Sequence, residues 1–85
     1  MVYIKLFTSV YEINYLMNIA KKIGSNLKSA RKDKGFTQKQ VAKMMNMTQQ
    51  QYSRFENGIF QLNYEQILFL CRTYDITPND LFDVK

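Results

Sequence analysis

With 85 residues the chain has room for one domain, and a domain this short buries only about 60% of its unfolded surface, so it depends on an idealised core or a partner. A net charge of +5 and a pI near 9.4 suit a polyanionic partner. No histidine and a single cysteine, Cys71, argue against a zinc site and exclude an intrachain disulfide. No apolar run reaches the ~18 residues of a membrane span, and the N-terminus lacks a signal peptide's basic start and cleavage site; the expected location is the cytoplasm.

In chain order, residues 2–7 alternate and are β-branched or aromatic, which predicts a strand or extended arm. Ser9 and Glu12 have capping-box spacing. Val10, Ile13, Leu16, Met17, Ala20 and Ile23 follow at helical intervals, predicting an extra helix over about 10–22. That helix either runs into the next or breaks at Gly24-Ser25. Residues 1–22 are thus expected to form an extension, either a dimerisation element or an arm folded onto its own subunit. A third reading makes Met17 the natural start.

A helix over 23–34 stops at Gly35, with Ile23, Leu27, Ala30 and Arg31 facing inward. Thr37 caps a helix over 38–45 that buries Val41, Ala42 and Met45. Asn46 tolerates the left-handed backbone of a tight turn. Thr48 caps a third helix over 49–56 that buries Tyr52 and Phe55, closed by Gly58. Asn63 and Gln66 form a capping box for a fourth helix, whose apolar face is Ile67, Leu68, Leu70, Cys71 and Tyr74; Cys71 reads as a buried structural thiol. Thr77-Pro78 opens a last short helix in which Leu81 and Phe82 close the core.

Two short helices joined by a turn of about three residues form a helix-turn-helix unit. The second opens with Gln49-Gln50-Gln51. A glutamine amide donates and accepts at once and pairs with the N6 and N7 edge of adenine in the major groove, and a recognition helix places its N-terminal residues there. The charge is skewed to match. Residues 21–54 hold nine Lys or Arg and one Asp, whereas residues 55–85 hold five acids and two bases.

The segment TQKQVAKMMNMTQQQYSRFENG, residues 37–58, resembles the Cro/C1-type (xenobiotic-response-element-like) helix-turn-helix proteins, and Thr48-Gln49-Gln50 is similar to the recognition-helix start of lambdoid phage repressors. The resemblance runs from about Ile23 to Phe82 and includes Leu27, Arg31, Gly35, Glu56-Asn57-Gly58, Tyr74-Asp75-Ile76 and Leu81-Phe82. It implies an all-α, five-helix lambda-repressor-like domain over residues 23–85, behind the N-terminal extension (short strand or arm plus extra helix) of residues 1–22.

On that resemblance Gln49 and Gln50 read bases, with Ser53 and Arg54 one turn further on. Arg54 departs from the phage-repressor pattern, which often has an amide there; it has the fork to read guanine O6 and N7 or to hold a phosphate. Gln38, Asn57, Gly58 and Tyr64, with Asn63 beside it, are expected at phosphates, and Lys39 and Lys43, with Lys32 and Lys34, add diffuse electrostatics. Arg31 and Glu56 are implied to meet as a partly buried salt bridge. Asn46 replaces the frequent turn glycine. The common proline between the third and fourth helices is absent, Leu62 standing in that region.

The implied function is sequence-specific binding of double-stranded DNA by a small transcriptional regulator. The type expected is a homodimeric repressor or controller of prophage, mobile-element or restriction-modification kind on a pseudo-palindromic operator. The alternative is a protein-interaction module, antitoxin-like or coactivator-like, for which the aromatic residues of 1–22 would serve a protein partner. No paired carboxylates, phosphate-binding glycine loop or metal cluster point to an enzyme, and no cofactor or metal is expected.

Overall fold

The described residues form five helices: α1 (Val2–Asp33), α2 (Gln38–Met44), α3 (Gln49–Glu56), α4 (Tyr64–Tyr74) and α5 (Pro78–Phe82). The computed structural model describes the backbone of residues 2–83 and the side chains of residues 14, 15 and 17–83. Among these residues there is no strand.

The N-terminus corrects the sequence expectation. In place of a strand or extended arm over 2–7, one helix of 32 residues runs from Val2 to Asp33, and of the two alternatives for the helix over 10–22 it is the one that runs into the next. The physical reason is register. Val2, Leu6, Val10, Ile13, Met17, Ala20, Gly24, Leu27 and Arg31 recur at intervals of three and four along the whole segment. Six alternating residues fit a strand equally well in a short window, and only the long register decides. Ser9 and Glu12 therefore lie inside a helix rather than at its start. Nor does α1 break at Gly24-Ser25. Gly24 is buried within it, and a Cβ there would lie 2.3 Å from the carbonyl oxygen of Glu56 and 2.6 Å from that of Phe55, so the missing side chain lets α1 cross the end of α3 with backbone against backbone.

Side-chain caps start each of the four short helices. Thr37, Thr48, Asn63 and Thr77 each accept from the backbone N–H three residues on, and Gln40, Gln51, Gln66 and Asp80 bond back to the cap. These reciprocal bonds satisfy orphan N–H groups that a helix of five to eleven residues leaves largely uncovered. Gly35, Asn46 and Asp75 take positive φ at the intervening turns. The Asn26 side chain donates to the Leu81 carbonyl at 2.8 Å, tying α1 to α5.

The core is Leu27, Ala30, Val41, Ala42, Tyr52, Phe55, Leu70, Cys71, Tyr74 and Leu81. Two expected core residues differ. Leu68 is 49% exposed, because α4 presents Ile67, Leu70, Cys71 and Tyr74 at one helical face and Leu68 lies about 100° round from Ile67. Phe82 is 38% exposed and lines an apolar cleft with Ile19, Ile23 and Phe60.

Candidate nucleic-acid interface

The α2–turn–α3 unit rests on one buried polar cluster. The Arg31 Nε donates to Glu56 Oε2 at 2.7 Å and its Nη2 to Oε1 at 3.1 Å. Its Nη1 donates to the Phe36 carbonyl at 2.8 Å, fastening the turn after α1. The expected Arg31–Glu56 bridge is therefore present, two-pronged and buried. Burial pushes the Glu56 carboxyl up, but hydrogen bonds from Arg31, Tyr52 and Gln38 outweigh it and hold the group below its ordinary value. Behind it the Tyr52 and Tyr74 hydroxyls share a hydrogen bond in the core. Burial drives Tyr52 far up and Tyr74 up to about 12, so both remain protonated.

The cluster extends to the surface. Gln38 Nε2 donates to Glu56 Oε1 at 3.0 Å, and Gln49 Nε2 approaches Gln38 Oε1 at 3.5 Å, a long contact. A carboxylate only accepts, so Glu56 requires the NH₂ of Gln38 to point inward. The Gln38 oxygen then faces Gln49 and orients its NH₂ in turn. This leaves the Gln49 oxygen and a second N–H free at the exposed start of α3, the donor and acceptor pair that an adenine edge needs.

Gln49 and Gln50 are exposed on the first turn of α3. Gln51 differs: its oxygen accepts from the Thr48 N–H at 2.9 Å, so this amide is part of the cap. Lys39, Lys43, Asn46 and Gln49 line one shallow depression between α2 and the start of α3, which brings two cations beside the glutamine. Ser53 is half-buried and donates to the Gln50 carbonyl at 3.3 Å. Arg54 is exposed, with its guanidinium over the Phe60 ring.

Asn57 caps the C-terminus of α3, and Gly58 turns the chain at φ +72°. A Cβ on Gly58 would lie 2.7 Å from the Lys21 Cα, so this turn also packs directly on α1. Tyr64 projects from the first turn of α4, 86% exposed, while the Asn63 side chain is held in its cap. Lys34 pairs with Asp75 at 3.6 Å at the surface.

Phe60 and Gln40 escaped the sequence reading, as did the capping role of Gln51 and the packing role of Gly24. The caps were readable from T-x-x-Q at 37–40 and 48–51. Nothing in the sequence signals Phe60, which meets Arg54 only because the chain reverses at Gly58.

A helix pair of this geometry, with an exposed amide-rich second helix beside lysines, defines a helix-turn-helix domain. A helix-turn-helix family model matches residues 27–81, and the chain belongs to this family, of Cro/C1 type, a DNA-binding regulatory family. The chain is also similar to Antitoxin PezA of Streptococcus pneumoniae serotype 4 (strain ATCC BAA-334 / TIGR4), with 32% identity over 59 residues. That match covers 69% of this chain and 37% of the antitoxin, so the chain spans little more than a third of that relative. No solved structure matches. Among the described residues, no helix is long and apolar enough to cross a membrane.

Proposed function

We propose that the protein binds double-stranded DNA sequence-specifically as a small cytoplasmic transcriptional regulator, a homodimeric repressor or controller of the prophage, mobile-element or restriction-modification type. The observation that carries this reading is the exposed Gln49 amide, oriented from behind by Gln38 and Glu56 and flanked by Lys39 and Lys43. Gln49 and Gln50 read base edges, with Ser53 and Arg54 on the next turn. Gln38, Asn57, Gly58 and Tyr64 hold phosphates, and Lys39 and Lys43 supply the sequence-independent attraction. A domain of this size reads a few base pairs, so two copies on half-sites about 34 Å apart would provide specificity, with residues 1–22 as the dimerisation element.

Selection from a random duplex library tests this, with the Gln49→Ala/Gln50→Ala double variant as control. An enriched near-palindrome that the double variant fails to enrich is the expected result. Absence of enrichment by a folded protein would refute it.

The similarity to an antitoxin favours a second reading, in which the chain acts as an antitoxin and binds a protein partner through residues 1–22. Strong binding to a neighbouring gene product with weak, salt-insensitive DNA affinity would select this alternative.

A further inference from the structure

Arg54 lies one helical turn beyond Gln50 on α3, so the two share a face. Its guanidinium carbon is 5.2 Å from the centroid of the Phe60 ring. The two residues are also joined through the backbone. The Arg54 carbonyl accepts from the Ile59 N–H at 2.8 Å and from the Phe60 N–H at 3.4 Å, so the loop carrying the ring is fastened to the residue it faces. Gly58 makes that reversal with its positive φ, and its contact with the Lys21 backbone fixes the turn against α1. The ring itself lines the cleft with Ile19, Ile23 and Leu62. Phe60 is therefore 46% exposed, yet held to Arg54 through both its backbone and its ring.

We propose that Phe60 is a positioning residue for DNA specificity: its ring holds the Arg54 guanidinium as a preorganised reader of guanine. The inference rests on the DNA-binding reading above. A cation–π contact takes up none of the guanidinium N–H groups in a hydrogen bond, so its N–H fork remains available to pair with guanine O6 and N7. An arginine loose in solvent would lose rotamer freedom on binding; one already held over a ring loses less. Lysine in its place would keep the charge and lose the fork.

The test measures binding of Phe60→Leu, Phe60→Tyr, Arg54→Ala and the Arg54→Ala/Phe60→Leu double variant to the selected duplex and to single-base-pair variants of it. The free proteins are compared by NMR for the ring-current shift of the Arg54 side chain. Phe60→Leu should lose the ring-current shift and about two- to fivefold of the discrimination at one G·C pair, the scale of an exposed cation–π contact. Phe60→Tyr should retain both. In the Arg54→Ala background Phe60→Leu should change nothing at that pair. Uniform weakening on all duplexes, or the same loss without Arg54, would overturn the role of Phe60 while leaving DNA binding intact. Failure of the unmodified protein to bind any duplex, with the ring-current shift present, would overturn the DNA-binding reading itself and the proposal with it.

Discussion

Gly24 of α1 packs so closely on the Glu56 carbonyl that a Cβ at residue 24 would overlap the last turn of α3. This contact brings the long α1 onto the C-terminal end of the helix that carries the candidate base readers. Two buried residues of that end, Phe55 and Glu56, hold it in the core.

Gly24→Ala should therefore destabilise the protein, against helix propensity. In an open helix the change gains about 0.8–1 kcal/mol. Here the new methyl meets backbone, which cannot move aside as a flexible side chain can, and overpacking of this kind costs about 1–3 kcal/mol. Urea unfolding decides the sign: a lower midpoint is expected, and a raised one would show that α1 and α3 have room to separate.

Glu56→Ala should cost about 3–5 kcal/mol, because it leaves the Arg31 guanidinium buried without its partner. For a domain of this size that is a fall in melting temperature of about 12 °C or more. Replacing both members by apolar residues of similar volume should cost much less, since the desolvation penalty disappears with the charges. An unchanged melting temperature for Glu56→Ala would count against the bridge.

Stability should fall at both ends of the pH scale. The folded Glu56 carboxyl is held below its ordinary value of 4.5. Its contribution is complete above that value and is lost as pH falls through the folded pKa, because the unfolded chain then takes up protons that the folded one excludes. The Tyr74 hydroxyl titrates at about 12 in place of 10.0. Its contribution is complete below pH 10 and is lost towards about 12, as the unfolded chain releases its proton first. Denaturant midpoints measured against pH should show an acid limb that flattens in Glu56→Gln and an alkaline limb that weakens in Tyr74→Phe.

Gln38→Ala and Lys39→Ala should weaken DNA binding in different ways. Without Gln38 the Gln49 amide loses its orienting contact, so preference at the base facing Gln49 should relax along with affinity. Removing Lys39 should weaken all duplexes alike and reduce the log–log salt slope by about 0.9. Titrations at several salt concentrations on matched and mismatched duplexes separate the two. Equal relaxation of preference in both variants would argue against the relay from Glu56 to Gln49.

The family and the four short helices were legible because their signals are local. A threonine or asparagine cap, a glutamine three residues on and an apolar residue each turn are written within a few positions of one another, so helices over 49–56 and near 64–74 could be placed directly. The paired glutamines at the start of the third helix carried the functional reading in the same local way, and the Arg31–Glu56 pair came from the resemblance. Three features depended on residues far apart in the chain. The N-terminal segment is helical because its apolar register is continuous with Leu27 and Arg31, which six alternating residues cannot reveal. In sequence Gly24 marks a point where the helix either continues or breaks, and only the crossing of α1 over α3 turns its missing side chain into a packing requirement. The ring under Arg54 belongs to a loop that Gly58 folds back onto α3. Local hydrogen bonds and helical periodicity act over three or four residues and leave a trace in the order of the chain; packing between distant backbones leaves none, and tertiary structure alone decides it.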